Sequence, residues 1–184
     1  VPVLRPAAIL DIGSSKIVCL CGSTAVRGGT VVHGAGVCAY AGYESGEFLD
    51  IKSLDEAIVS AIRDAEEMSR IRIRDIVVAV PAPFSKLIVT AATIRLDPRK
   101  ERIKADDIDE LISLSLAKAR APEHVLMHST PISYTVDGYT SSEAPEGKRA
   151  GELSAEVSHM YVQERFLNTI SEILKTLSIE ISMC

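Results

Sequence analysis

The chain has 184 residues, 47% of them hydrophobic and 24% charged, and a formal net charge of −5. This is enough apolar material for one domain or two small ones, and mild acidity without a basic stripe argues against nucleic acid as a partner, because phosphate backbones are gripped by clustered Lys and Arg. No apolar run reaches the roughly 20 residues of a membrane-spanning helix, and the apolar start, broken by Arg5 and Pro6, does not read as a signal peptide.

Ala7 to Ile12 is a compact apolar run, followed by Gly13-Ser14-Ser15 and a second run from Lys16 to Cys21. With a turn at Gly28-Gly29 and a third run from Thr30 to Val37, this pattern predicts an antiparallel three-strand meander. Gly42 to Asp50 reads as a polar loop. Ser53 and Glu56 have capping-box spacing, and Leu54, Ile58, Ile62, Ala65 and Met68 then recur on one face of a helix. Ile76 to Val80 is apolar throughout, as a central strand requires, and it stops at Pro81-Ala82-Pro83.

The pattern changes after these prolines. Ser85 to Leu96 reads as extended. Asp106 can cap a second helix that turns Ile108, Leu111, Ile112, Leu114 and Ala119 inward and ends by Pro122. His124 to Val136 is strand-like on both sides of Pro131, and 137–151 is the most loop-like stretch. Leu153, Ala155, Val157 and Tyr161 mark another strand. Phe166, Ile170, Ile173, Leu174 and Leu177 give a third amphipathic helix, and Ile179 to Met183 starts one more strand.

Cys19, Cys21, Cys38 and Cys184 lack the paired spacing of a zinc site. Cys19 and Cys21 lie on one face of a strand and read as buried reduced thiols, with a metal or redox pair as the lesser alternative. His124 and His128, four apart on a strand, stand about 13 Å apart, too far for one metal. The acidic group Asp106, Asp107, Asp109 and Glu110 suits the positive end of a helix rather than a catalytic pair.

The sharpest chemical signal is Asp11-Ile12-Gly13-Ser14-Ser15-Lys16. Gly13 permits close backbone approach to a phosphate. The turn's amides, with Ser14, Ser15 and Lys16, can cradle phosphate oxygens, and Asp11 can hold Mg2+ through water. A plain hairpin with an Asp-Ile-Gly turn explains the same six residues equally well.

This turn resembles the first phosphate loop of the actin-like ATPase superfamily. The continuation is similar to the FtsA family of bacterial cell-division proteins: Gly34-Ala35-Gly36, then 42–46, the helix to Met68, Ile71 to Val78, Asp106-Asp107-Ile108, 124–128 and Pro131 to Gly138, in that order. The resemblance covers roughly Ala8 to Ile181. It implies an α/β fold: a partial ribonuclease H-like actin-type ATPase subdomain in 1–82 and 164–184, with a small α+β SHS2 subdomain inserted at 83–163. It also implies ATP and Mg2+ bound at Asp11, Gly13, Ser14, Ser15 and Lys16, with at most weak ATPase activity in the parent protein and none in this N-terminal portion. Implied partners are the tubulin-like ring protein FtsZ, through parts not present here, later division proteins through the SHS2 subdomain, and further copies of the protein. The implied place is the cytoplasmic face of the membrane at the division site. The second phosphate loop, the adenosine segment and a C-terminal membrane helix are expected beyond Cys184. Two departures from the family pattern, Pro81 to Ser85 and Tyr139 to Arg149, lie in or beside the insert. A type IV pilus assembly ATPase, a sugar or acyl kinase of the same superfamily, and a stand-alone interaction module are the alternative readings.

Overall fold

The computed structural model describes residues 7–24, 29–97 and 102–182. The second glycine of the expected Gly28-Gly29 turn is described, whereas Gly28, Met183 and Cys184 lie outside the described residues. Two compact units result, one running to Phe84 and resuming at Arg165, the other spanning Ser85–Glu164.

The first unit opens with the meander β1 (Ala7–Ile12), β2 (Lys16–Thr24) and β3 (Thr30–Ala39). Alternation decides the faces: Ala8, Leu10 and Ile12 of β1 are buried, as are Ile17, Cys19 and Cys21 of β2. A two-residue-strand hairpin follows, β4 (Tyr43–Glu44) and β5 (Glu47–Phe48), inside the stretch expected to be a loop. Ser45 (φ 50°) and Gly46 (φ 79°) both take the left-handed conformation that a tight hairpin needs.

Helix α1 (Ile51–Ser69) starts two residues before the expected capping box. Asp50 is its N-cap, accepting from the amides of Lys52 (2.9 Å) and Ser53 (3.3 Å). Ser53 instead accepts from the Ala41 amide at 3.0 Å. Leu54, Ala57, Ile58, Ala61, Ile62 and Ala65 are buried, but Met68 is 65% exposed, because the helix ends one residue later at Ser69. The helix packs on β3 through glycines: a Cβ at Gly36 would sit 2.7 Å from the Ala61 carbonyl carbon, and one at Gly34 2.7 Å from the Ser69 nitrogen. β6 (Asp75–Ala79) then runs parallel to β1, and β11 (Glu180–Ile181) parallel to β6, giving the order β11-β6-β1-β2-β3. The prolines after β6 form a single 3-10 turn, Ala82–Phe84, that delivers Phe84 into a ring cluster. Its centroid lies 4.8 Å from Phe48, 4.8 Å from Phe166 and 5.1 Å from Tyr43. Phe166 comes from α3 (Glu164–Thr176), which also buries Ile170, Ile173 and Leu174; Leu177 falls past its end.

The second unit is a four-stranded antiparallel sheet, β7-β10-β8-β9, with one helix on one face. Its strands are β7 (Ser85–Arg95), β8 (His124–Val136), β9 (Tyr139–Ser141) and β10 (Glu152–Gln163). β8 runs through Pro131 by bulging: register shifts free Ile132 and Met127 from pairing, as proline in a sheet demands. β9 occupies part of the stretch read as a loop. Helix α2 (Ala105–Leu116) has Lys104, not Asp106, at its N-cap, with the Asp107 carboxylate accepting the Lys104 amide at 2.9 Å. Leu111 is fully buried, whereas Leu114 is 43% exposed and Ser115 takes the inward position. The helix ends at Leu116, six residues before Pro122. Ala92, Ile94, Leu96, Ile103, Leu111, Tyr134, Leu153, Ala155 and Val157 form the core between α2 and the sheet.

Candidate phosphate-binding turn

The hairpin between β1 and β2 has Ser14 and Ser15 at its tip. Ile12 pairs with Ile17, and the Gly13 amide donates to the Lys16 carbonyl at 3.0 Å. A Cβ at Gly13 would stand 3.0 Å from that same carbonyl oxygen, which accounts for glycine here. Asp11, Ser14, Ser15 and Lys16 are exposed and Gly13 is half-buried. Leu10 and Ile12 turn to the α1 face, so Asp11 emerges on the opposite face, beside Val18 and Ala79 in register. Lys16 has the parity of Val18 on β2 and emerges on that face too. The structure thus brings all five sequence-derived residues to one end of β1, with the carboxylate and the ammonium on one side of the sheet.

What sequence reasoning missed is the segment that holds the turn. The Tyr40 hydroxyl donates to the Gly13 carbonyl at 2.8 Å, and the Tyr40 amide donates to the Ser15 carbonyl at 3.2 Å. Gly42, at φ 88°, lies against the Ser14 carbonyl so closely that a Cβ there would overlap its oxygen and stand 3.3 Å from its carbon. Burial first, and neighbouring Tyr43 second, push the Tyr40 phenol up to about 12, so its hydroxyl stays a donor. Among the described residues the Ser14 and Ser15 amides have no protein acceptor. The turn therefore presents two free donors, a hydroxyl pair, an ammonium and a carboxylate: donors and charge for phosphate oxygens, and an oxygen ligand for a water-bound cation. The only sequence signal for the brace was Gly42 after a strand end.

The other candidates fall to structural roles. Among the described residues no group of His, Cys, Asp and Glu is arranged to hold a metal. Cys19 and Cys21 are buried, and Cys38 is only half-buried. Burial, then the neighbouring Cys21 and Glu66, push the Cys19 thiol up to about 12, which makes it inert. Asp107 is buried at the start of α2 while Asp106, Asp109 and Glu110 are exposed. A cavity of about 220 Å³, lined by Ala7, Cys21 and 71–75, lies at the other end of β1 from Asp11.

His159, one of the four histidines of the sequence, is fully buried in β10. Its Nδ1 is 2.8 Å from Ser129 Oγ, and its Nε2 is 3.0 Å from Ser115 Oγ and 3.1 Å from Thr90 Oγ1. Thr90 donates its hydroxyl proton to the Ser115 carbonyl and Ser115 donates its own to the Thr90 carbonyl. The Thr90 and Ser115 hydroxyls also stand 2.7 Å from each other, and the ring completes this network with Nε2 toward both of them and Nδ1 toward Ser129. The alternation Leu153, Ala155, Val157, His159, Tyr161 was the available signal.

Residues 84–161 match the family model of the "SHS2 domain inserted in FTSA". The chain is similar to cell division protein FtsA of Enterococcus faecalis (27% identical over 138 residues, 75% of this chain and 31% of that protein). It is likewise similar to FtsA of Pseudomonas aeruginosa (26% over 148 residues, 80% and 35%) and of Agrobacterium fabrum (26% over 168 residues, 86% and 37%). It spans about a third of the length of these relatives. Among solved structures it is similar in fold to the PilM–PilN type IV pilus biogenesis complex, with a TM-score of 0.59 at 16% identity over 95% of this chain and 45% of that one.

Proposed function

From a chain that is of the FtsA type, with an SHS2 domain at residues 84–161 and a partial actin-like α/β fold around it, we propose a part in bacterial cell division as an ATP-binding scaffold. In this reading the whole protein links the division ring, built of the tubulin-like FtsZ, to the cytoplasmic face of the membrane, and the SHS2 domain contacts later division proteins or further copies. No helix among the described residues is long and apolar enough to cross a membrane. The domain division proposed is 1–82 and 164–184 for the actin-like part and 83–163 for the insert.

The observation that carries the nucleotide part is the exposed Gly13 to Lys16 turn with two free amides, on a strand that also carries Asp11. Asp11, Gly13, Ser14, Ser15 and Lys16 are the proposed phosphate and Mg2+ residues. When bound, Mg2+ would offset phosphate charge; the chain's own part is to orient the phosphates with amides and hydroxyls and to attract them with Lys16. The sequence relatives cited are division proteins, whereas the likeness to PilM is one of fold, which favours division over pilus assembly.

Two measurements test the reading. Calorimetry of the 184-residue chain with Mg-ATP should give at best millimolar affinity, because a nucleotide held between two lobes finds one here; micromolar binding would refute the half-site. A fluorescent fusion of the chain expressed in its host should collect at division sites and lengthen the cells. Diffuse fluorescence with normal cell length argues against the division role.

A further inference from the structure

The Gly13, Ser14 and Ser15 carbonyls of the phosphate-type turn all meet one short segment after β3, while the Lys16 carbonyl takes the Gly13 amide. The Gly13 carbonyl takes the Tyr40 hydroxyl, the Ser15 carbonyl takes the Tyr40 amide, and the Ser14 carbonyl lies on Gly42. In a trans peptide the carbonyl and the following N–H point in opposite directions in one rigid plane. Fixing the Gly13 carbonyl therefore fixes the Ser14 amide, and fixing the Ser14 carbonyl fixes the Ser15 amide. These are the two amides that lack a protein acceptor. We propose that Tyr40 is a positioning residue for anion binding: its hydroxyl, by holding the Gly13 carbonyl, aims the Ser14 amide outward as a preformed phosphate donor, while Gly42, against the Ser14 carbonyl, does the same for the Ser15 amide.

The proposal deepens the reading of the turn as a phosphate site and rests on it. Its physical basis is preorganisation. An anion approaching an unbraced turn would meet carbonyls as often as amides, and part of its binding energy would go into ordering the peptide planes. Tyr40 supplies two of the three restraints. Its segment is itself anchored to the start of α1 by the Ala41 amide on Ser53 Oγ. That anchor explains why Ser53 faces the loop rather than capping its own helix.

The test uses the 184-residue chain, labelled with nitrogen-15 and titrated with Mg-pyrophosphate, in wild-type, Tyr40→Phe and Tyr43→Phe forms. Tyr40→Phe keeps the ring and removes one hydrogen bond. The wild-type Ser14 and Ser15 amide signals should move on titration, and the Tyr43→Phe signals should move in the same way. In Tyr40→Phe those two signals should broaden or shift before any ligand is added, and affinity should fall roughly fivefold to tenfold, the effect of one hydrogen bond, with the urea midpoint little changed. Ligand-free spectra and affinity equal to wild type overturn the proposal, as do altered spectra with unchanged affinity. If the wild-type amides ignore pyrophosphate at tens of millimolar, the phosphate reading of the turn falls and this proposal with it. The ligand-free spectra then still decide whether Tyr40 orders the turn.

Discussion

Helix α1 packs tightly on β3 at Gly36, and Gly36→Ala tests this approach. An alanine Cβ at 36 would stand 2.7 Å from the Ala61 carbonyl carbon and 3.0 Å from its Cα, and would overlap its oxygen. Ordinary contact begins at 3.4 Å, so the helix must retreat by at least 0.7 Å, and the obstructing atoms are backbone that no rotamer change can remove. A gap of 0.5–1 Å forfeits roughly a quarter to a half of a dispersion contact. Leu54, Ile58 and Ile62 are the large buried side chains of α1, each worth roughly 1.5–3 kcal/mol of burial. Losing about a third of that sum gives about 2 kcal/mol, within the roughly 1–3 kcal/mol usual for overpacking. With a urea slope of about 2 kcal/mol/M, the midpoint read by circular dichroism should fall by about 1 M. Gly29→Ala, where a Cβ meets nothing within 4 Å, is the control and should be neutral. A Gly36→Ala midpoint within about 0.3 M of wild type, at unchanged slope, would show that the helix is not held at this distance by the glycine.

Burial holds the His159 imidazole below its ordinary range, so the fold keeps it neutral. Stability from this group is complete above the unfolded value of about 6.5 and declines as pH falls below it toward the folded value. Urea midpoints should drop between pH 7.5 and 5.5, and His159→Gln should flatten that segment of the profile. Ser129→Ala leaves Nδ1 without its 2.8 Å partner and should cost about 1–2 kcal/mol at pH 7.5 by thermal melting. Asp137 accepts the amides of Gly151 (3.0 Å) and Glu152 (2.9 Å). Asp137→Ala should therefore raise hydrogen exchange at those two amides well before it affects α1. Cys19 and Cys21 should resist iodoacetamide at pH 8 until urea unfolds the chain, whereas Cys38 should react in the native state, as peptide mass mapping will show.

The meander, the central strand β6, the long β8 and three amphipathic helices were legible because each rests on local periodicity of 2 or 3.6 that burial enforces. Errors clustered where a local signal had two users. Ser53 had capping-box spacing with Glu56, but the helix already starts at Asp50, which takes the Lys52 and Ser53 amides, so Ser53 falls inside the first turn and its hydroxyl accepts from Ala41. Leu114 continued a helical stripe, yet Ser115 faces inward because Thr90 and His159 on the sheet need polar partners there. The hairpin at Tyr43 to Phe48 was hidden by its charged residues, since its stability comes from rings as distant in sequence as Phe84 and Phe166.

The turn shows the same division between local and distant information. Six consecutive residues carry the proposed chemistry, and the structure leaves Asp11, Ser14, Ser15 and Lys16 exposed while Ile12 packs inward. Those residues cannot say which way the peptide planes face, because a Gly-Ser-Ser tip with free carbonyls is a poor anion site and one with free amides is a good one. That choice is made by Tyr40 and Gly42, 27 and 28 positions beyond Gly13 and Ser14, brought alongside by the β2–β3 hairpin through the pairing of Lys16 with Ala39. Gly42→Ala separates the two contributions. At φ 88° and in contact with the Ser14 carbonyl, an alanine is strained by about 1–2 kcal/mol from conformation alone, and it must also push the turn away. A variant that stays folded in circular dichroism but loses the pyrophosphate response at Ser14 and Ser15 assigns the site to the brace. One that keeps the response assigns it to the hexapeptide alone.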